Sequence, residues 1–379
     1  MRNCQQWKIL FGVWKTKTMS ATITYKCPNC GGGLQFDPEK QKYACEYCLS
    51  EFTQDELERL SPEESADQAG FSFDEAAGEE NTGEQSREGT SVLYTCPSCG
   101  AEIVTDETTA ADICYYCHNP VILSGKLSGE YNPDYVIPFQ LDREKAVSIF
   151  SQWMKKKRYV PRAFYSEEQI QKLSGVYFPY LMYSCRVEGE LEARADRLRV
   201  WVSGRYQYTE TQTYDILREG DMEVSHVTRN ALKKANRELV EGVLPYDMKQ
   251  LEPFTPGYLS GFVAERRDME EQDFSADVCS EVRQFALDSL KESVGTYDRV
   301  SVRRSDAQLR DEKWEYALLP VWTLTYHDQA KNEMYYFTVN GQTGKVCGKL
   351  PVDRRKLLIL FAEIFFPVLI FMLLMGYLI

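Results

Sequence analysis

The sequence predicts two small cysteine-rich β units, an α+β globular region with an antiparallel sheet, and one C-terminal transmembrane helix. Eight of the twelve cysteines form two quartets with the same spacing. Residues 131–351 contain aromatic and β-branched runs typical of strands, interrupted by helical patterns. The last 23 residues, 357–379, are almost wholly apolar.

Length and composition narrow the possible classes of protein. The 379 residues are enough for two or three domains, since single cores rarely exceed about 250–300 residues. With 43% hydrophobic residues and a mean hydropathy of −0.43, the chain is neither wholly disordered nor a polytopic membrane protein. The net charge is −13, of which −11 lies between Glu51 and Glu88. No block of the sequence is basic enough to hold nucleic acid by charge alone.

The cysteine quartets repeat one arrangement. Each consists of two Cys-x-x-Cys pairs with 14 residues between them, and the second quartet follows the first at an offset of 69 residues. The flanks repeat as well, with Tyr25–Gly31 matching Tyr94–Gly100, so the unit is duplicated. The eight cysteines are Cys27, Cys30, Cys45, Cys48, Cys96, Cys99, Cys114 and Cys117.

This spacing is typical of a metal site. Two cysteines separated by two residues place both thiolates on one Zn²⁺, and a second pair completes a tetrahedral shell of four sulfurs. Gly31 and Gly100 stand just past the second cysteine of each leading pair, where the chain has to reverse. The sequence therefore predicts two small β zinc ribbons, over 24–50 and 92–123, with one Zn²⁺ each and with metal binding supplying their folding energy.

Disulfide bonds and haem attachment are the alternatives to zinc for these cysteines. Disulfides require an oxidising compartment, whereas the sequence has no recognisable secretory signal. The string from Cys114 to His118 matches a c-type haem attachment, but the first quartet has Leu49 at the corresponding position, so we expect His118 to be a bystander. The four cysteines outside the quartets have no neighbouring histidine and are not assigned as nucleophiles: Cys4, Cys185, Cys279 and Cys347.

The C-terminal segment predicts a membrane anchor. As a helix, residues 357–379 span about 34 Å, enough to cross the hydrocarbon core of a bilayer. Arg354, Arg355 and Lys356 precede the segment, and the positive-inside rule keeps them in the cytoplasm. We therefore expect a single-pass protein of the cell membrane with its N-terminal bulk cytoplasmic, and a kink at Pro367.

Glu363 lies about two turns inside the anchor, where a carboxylate is costly. One hypothesis is that it contacts a partner membrane protein. The alternative is that its side chain reaches the polar interface.

Two further segments are predicted to lie outside the folded units. Residues 1–18 form either a short basic membrane-surface helix or, as we favour, a non-native extension before a true start at Met19. Residues 51–91 predict an acidic flexible linker, helical only over Asp55–Leu60. Its charge is expected to keep the first ribbon away from an anionic membrane.

Residues 131–351 predict the α+β globular region. The similar segments Gly175–Tyr183 and Ala317–Tyr326 indicate a possible duplicated unit, in which Pro179 and Pro320 favour sheet edges or strand starts. Ser166 and Gln169 resemble a capping box. The predicted strands are Tyr135–Phe139, Val176–Leu191, Leu198–Asp215, Leu318–Tyr326, Met334–Val339 and Lys345–Gly348; the predicted helices are Asp142–Lys157, Val227–Val240 and Ala276–Val294; and Asn340–Gly344 is a turn.

No catalytic motif is present in the sequence. HExxH, GxSxG and GxGxxG are absent, and Gly341–Lys345 lacks the spacing of a phosphate loop. We therefore expect no enzyme. The alternative function is nucleic-acid binding by the ribbons, as in replication or transcription. Their charge speaks against it, because residues 24–50 are neutral and residues 94–118 carry four acids and no Lys or Arg.

From Thr24 to its end, the chain resembles the TFIIB-type zinc-ribbon membrane proteins of Gram-positive bacteria. The resemblance implies a non-catalytic membrane adaptor that anchors a soluble partner, beside SPFH-type and phage-shock-protein-A-like proteins of a membrane-stress system. It implies an SPFH-type protein and another small membrane protein as partners. Besides the ribbons and the anchor, it rests on Val136–Phe139, Gly175–Pro179, Leu319–Trp322 and Val339–Val346.

Overall fold

The computed structural model describes residues 22, 24–60, 92–114, 116–203, 205–328 and 333–378. The predicted extension at 1–18 and most of the predicted acidic linker, 61–91, lie outside the described residues. The strands are β1 Leu34–Asp37, β2 Lys42–Cys45, β3 Glu51–Phe52, β4 Val92–Thr95, β5 Glu102–Thr105, β6 Thr109–Ile113, β7 Pro120–Ile122, β8 Tyr135–Val136, β9 Ser174–Ser203, β10 Tyr206–Asn230, β11 Glu252–Pro253, β12 Val263–Glu265, β13 Arg299–Asp328, β14 Glu333–Asn340 and β15 Val346–Lys349. The α-helices are α1 Gln54–Leu60, α2 Arg143–Lys155, α3 Glu167–Ile170, α4 Arg237–Gly242, α5 Gln272–Glu292 and α6 Arg354–Leu378.

A ten-stranded sheet forms the body of the protein. Its main order is β11-β8-β13-β9-β12-β6-β7, with β10 also paired to β9, and β14 placed between β13 and β15. The long strands β9, β10 and β13 are antiparallel, as predicted. Two short pairs, β8 with β13 and β12 with β9, are parallel, so the sheet is mixed.

Apart from the short helix α3, the order strand–helix–strand–strand occurs twice, as β8-α2-β9-β10 and as β12-α5-β13-β14. The two halves exchange their short strands, since β8 pairs with β13 and β12 pairs with β9. The two segments that look alike in the sequence pair with each other, with Pro179 opposite Leu318 and Tyr177 opposite Pro320. A common origin of the halves stays a prediction.

Helix α2 illustrates how the sequence specifies its elements. The Asp142 side chain accepts a hydrogen bond from the backbone N–H of Lys145 at 2.7 Å and caps the helix, as predicted. Ala146, Phe150 and Met154 are buried at helical spacing. The Phe150 ring lies 4.6 Å from that of Phe337 on β14, which fixes the helix on the sheet.

Several predicted elements differ in the structure. The helix predicted over Val227–Val240 is wrong in its first part, because Val227–Asn230 complete β10 opposite Tyr180–Tyr183 and only Arg237–Gly242 is helical. The predicted strand Val176–Leu191 is part of the longer β9. The strand predicted over Leu198–Asp215 is wrong as a single strand, because the chain turns between Ser203 and Tyr206, so its residues are divided between the end of β9 and the start of β10. The capping box is half formed, since Ser166 caps α3 while the Gln169 side chain donates to the Thr325 carbonyl.

Pro179 and Pro320 lie inside long strands, so the prediction of edge positions or strand starts is wrong. Each proline lies where one of its two neighbouring strands stops. The Pro179 carbonyl accepts from Ala231 just after β10 ends, and the Pro320 carbonyl accepts from Gly341 just after β14 ends. The N–H that proline lacks would point to the same side as that carbonyl, where no ladder partner requires it.

The C-terminal helix α6 includes Pro367, and its stretch Arg355–Leu373 is long and apolar enough to span a membrane. None of that stretch is buried against the body. Asp353 fixes the start of the helix: its side chain accepts from the N–H of Arg355 at 3.0 Å, while its own N–H donates to the Tyr159 carbonyl at 2.8 Å.

Candidate metal centres

The structure brings the eight predicted cysteines together as two clusters. Within each quartet, the four Sγ atoms lie within 4.8 Å of one another. Each leading pair contributes one buried and one exposed thiol. The Sγ–Sγ distances are 3.5 Å for Cys27–Cys48 and Cys30–Cys45, and 3.7 Å for Cys96–Cys117 and Cys99–Cys114.

These distances fit a zinc ion. A tetrahedral Zn²⁺ with bonds of about 2.3 Å to sulfur places its ligand atoms about 3.8 Å apart. The sulfur positions therefore need only a small adjustment to hold the ion. In the part of the chain that the structure describes, these are the two groups of Cys, His, Asp or Glu side chains that could hold a metal, and His118 belongs to neither.

Four similar turns position the sulfurs. In the first, the N–H of Gly31 donates to the carbonyl of Cys27 at 2.8 Å, and the N–H of Cys27 donates to the carbonyl of Gly32 at 2.6 Å. The other three turns repeat both hydrogen bonds. The residue four positions after the first cysteine is left-handed in every turn: Gly31 (φ 75°), Leu49 (φ 59°), Gly100 (φ 75°) and His118 (φ 58°).

The glycines confirm the expected chain reversal, because glycine adopts a left-handed conformation without steric cost. Leu49 and His118 adopt it against their intrinsic preference. Sequence reasoning missed this conformation, although the repeated spacing placed both residues at the position of the glycines.

The first quartet holds thiols of unequal acidity before metal binds. Hydrogen bonds from the side chain and backbone of Ser50 lower the pKa of Cys48 to about 6. The backbone N–H of Gly32 lowers the pKa of Cys30, but the thiols of Cys45 and Cys48 outweigh it and raise this pKa to about 12. A metal bound at neutral pH therefore has to displace protons from this quartet.

The second quartet has the same imbalance. Burial raises the pKa of Cys114, but the backbone N–H groups of Cys117 and Tyr116 outweigh it and lower this pKa to about 7. Burial raises the pKa of Cys117 to about 12, although the backbone N–H of Asn119 opposes the shift.

The first Cys4 unit, residues 24–52, packs directly on the body. The N–H of Phe36 donates to the carbonyl of Ser260 at 3.0 Å, and the Phe36 ring meets that of Tyr258 edge-on at 5.4 Å. The Gln41 side chain donates to the carbonyl of Phe139 at 2.7 Å. The first Cys4 unit is therefore fixed to the body, because apolar and hydrogen-bonded contacts join it to residues some 220 positions away in the sequence. The expected distance of this unit from an anionic membrane stays a prediction.

The second Cys4 unit, residues 92–122, is continuous with the body. Strands β4 and β5 form a separate hairpin, whereas β6 and β7 join the ten-stranded sheet through β12. Ala111 pairs with Ala264, and the Thr108 hydroxyl donates to the Glu265 carboxylate at 2.7 Å. The sequence could not indicate this pairing, because its strand signal over Val263–Glu265 is only three residues long.

The remaining candidate residues lie elsewhere. Glu363 is exposed on α6, and its partner stays a prediction. The Asn340–Gly344 segment is the predicted hairpin turn between β14 and β15, with the Asn340 side chain accepting from the N–H groups of Gln342 and Thr343, both at 2.8 Å. Of the isolated cysteines, Cys185 is buried, and Cys279 and Cys347 are half-buried.

Comparison with known proteins places the chain in a family. It is 32% identical over 342 residues to the uncharacterized protein YdjG of Bacillus subtilis (strain 168), an alignment covering 90% of this chain and 94% of YdjG. The chain belongs to the YdjG family. No family model matches it, and no solved structure matches it. The comparison thus gives the family of the chain but no activity, so the function is inferred from the residues themselves.

Proposed function

We propose that the protein is a non-catalytic zinc-binding membrane adaptor that anchors or recruits cytoplasmic partner proteins at the membrane. The observation that carries the proposal is the combination, in one chain, of two Cys4 clusters with zinc-compatible geometry and an apolar helix that the body leaves entirely unburied. In this proposal the Cys4 units are zinc ribbons and α6 is the anchor.

The ligand set supports a structural metal. Four protein sulfurs complete the tetrahedral shell of Zn²⁺, which leaves no position for a water or a substrate. Both clusters also hold together chain segments that contact the body, through Phe36 in the first unit and Ala111 in the second. Zinc here stabilises a surface and has no reactant to activate.

The recruiting surface is proposed to lie on the outer turns of the two units. Tyr47 and Tyr116 occupy equivalent positions in the second Cys-x-x-Cys pair of each unit, and they are 71% and 72% exposed. Leu49, two residues after Tyr47, is 82% exposed. Exposed tyrosines are favoured in protein interfaces, because they bury a large area at low entropic cost.

The proposed location and partners follow from the anchor and the resemblance. Arg355 and Lys356 at the start of α6 would stay on the cytoplasmic side, together with the body. An SPFH-type protein and another small membrane protein are the proposed partners, and membrane stress is the proposed context.

Fractionation and affinity capture test the proposal. The full chain is expected to remain in the membrane pellet at high pH, to contain two zinc ions, and to retain its partners in detergent. The Tyr47→Ala, Tyr116→Ala double variant is expected to stay in the membrane with its zinc but to lose soluble partners. A protein that is freely soluble after cell breakage, or that lacks metal when purified without chelator, would contradict the proposal.

A further inference from the structure

The β9–β10 hairpin continues beyond the rest of the sheet. Helix α5, which covers one face of β9, ends at Glu292, and the pairing of β13 with β9 stops at Arg299 opposite Asp196. Past this point β9 and β10 pair only with each other in the described part of the chain. We call residues 197–203 and 205–212 the hairpin tip.

Both faces of the hairpin tip are apolar near its end. Trp201 and Tyr208 are direct cross-strand neighbours, and their rings stack at 5.6 Å with an interplanar angle of 14°. Val200 and Val202 alternate with Trp201 and therefore point to the opposite face. They are 54% and 70% exposed, and Tyr206 beside the turn is 72% exposed.

The hairpin tip is also basic. Arg197, Arg199 and Arg205 outnumber its single acid, Glu210, in a chain whose net charge is −13. Among the residues described, none of these three arginines takes part in an ion pair within 4 Å. The Arg199 guanidinium lies 5.7 Å from the Trp201 ring, so charge and aromatic surface are adjacent.

We propose that the hairpin tip inserts into the interface of an anionic lipid bilayer. Trp and Tyr side chains favour the depth of the lipid headgroups, and arginines are attracted to the phosphates of anionic lipids. A protein partner of ordinary shape covers one face of a strand pair, whereas lipid surrounds both. The apolar side chains on both faces, together with the positive charge, therefore favour lipid over a protein surface.

This contact is distinct from the anchor. Strand β13 runs from Arg299, beside the hairpin tip, to Asp328. Its pairing with β14 covers only its far end, Val321–Asp328, and β15, which leads to α6, pairs with β14. At about 3.3 Å per residue, β13 separates the two ends by up to roughly 100 Å. The hairpin tip would thus provide a second, remote attachment to the bilayer that holds α6 or to an apposed one.

Binding of the full chain to added vesicles tests this inference. The chain is held through α6 in nanodiscs of neutral phosphatidylcholine, so that α6 is already occupied. Vesicles of phosphatidylcholine, alone or with about one third phosphatidylglycerol, are then added, and co-flotation is measured. We expect about tenfold stronger binding to the anionic vesicles, weakened by about 0.5 M NaCl.

Two double variants and one control variant test whether vesicle binding depends on the hairpin tip. The Trp201→Ser, Val202→Ser double variant and the Arg199→Gln, Arg205→Gln double variant should each lose about tenfold in binding to anionic vesicles. Leu217→Ser is the matched control, since Leu217 is 52% exposed on β10 outside the hairpin tip, and it should bind as the wild type does. Zinc content and thermal unfolding should be unchanged in all of them.

Two results would overturn the inference. One is that the wild type binds vesicles equally well with and without phosphatidylglycerol, or binds anionic vesicles no better than either tip variant. The other is unchanged vesicle binding by tip variants that lose a protein partner in affinity capture, which would assign the hairpin tip to protein docking. A failure of the adaptor function would appear separately, as loss of zinc or of membrane retention.

Discussion

Replacing Phe36 tests whether the first Cys4 unit is attached to the body. Phe36 lies on β1 and is 5% exposed. Its ring meets Tyr43 of the same unit at 5.4 Å and Tyr258 of the body at 5.4 Å. Its backbone N–H donates to the carbonyl of Ser260 in the body. Phe36→Ala keeps that N–H but removes the ring from between the two tyrosines.

The expected loss can be worked out from these contacts. Burial of a Phe side chain stabilises by about 2–3 kcal/mol. Because one of the two rings that Phe36 meets belongs to the body, we assign about half of this burial to the attachment. The edge-on pair with Tyr258 adds about 0.5–1.5 kcal/mol. The substitution should therefore weaken attachment by about 2 kcal/mol, which is roughly a 30-fold change in the equilibrium between attached and detached unit.

Hydrogen exchange at residue 36 measures this equilibrium directly, because the amide is protected only while it is bonded to Ser260. In the zinc-loaded full chain, exchange at this position should be roughly 30-fold faster in Phe36→Ala than in the wild type. Tyr47→Ala is the control, since Tyr47 is 71% exposed in the same unit and should leave the rate unchanged. A wild-type amide that exchanges at the unprotected rate would refute the attachment itself.

Three further predictions concern the metal centres and the anchor. Gly100→Ala should lower the free energy of unfolding by about 1–2 kcal/mol in urea titrations, because the Gly100 backbone is left-handed, with φ +75°. Gly220→Ala is the control and should leave that free energy unchanged, because no atom lies within 4 Å of the added methyl. Cys30→Ser and Cys99→Ser should each leave one zinc per chain by metal analysis; Cys99→Ser should lower the melting temperature of the body more, because β6 and β7 belong to its sheet. Glu363→Leu should co-purify fewer membrane proteins in detergent; an unchanged set would indicate that the carboxylate only reaches the interface.

The parts of the fold that sequence could predict are those set by local chemistry. The Cys-x-x-Cys turns need only six consecutive residues to close, and a glycine at the left-handed position identifies Gly31 and Gly100. The cap at Asp142 and the turn at Asn340–Gly344 are local in the same sense. The apolar length of the C-terminal segment needs no tertiary partner at all.

The parts that sequence could not predict depend on distant partners. Strand β9 continues past its predicted end at Leu191, through the exposed Glu192 and Arg194, because α5 covers the other face of the strand. The attachment of Phe36 to Ser260 joins segments that no sequence pattern links. The distribution of charge also depends on the pairing of distant strands. The chain is acidic overall, but the pairing of β9 with β13 places arginines of both strands at one end of the sheet.

The place of the second centre in the sheet determines what loss of zinc should do. Strand β6 pairs with β12, and β12 pairs with β9, the central strand of the body. The Cys114 turn connects β6 to β7, so without metal this edge of the sheet loses the turn that holds its last two strands together. A separable nucleic-acid-binding ribbon would leave the body intact when its metal is removed. In the adaptor proposed here, removal of zinc by a chelator should instead loosen the body itself. Faster amide hydrogen exchange at Ala111 and Ala264 would show this in the protein without any partner present.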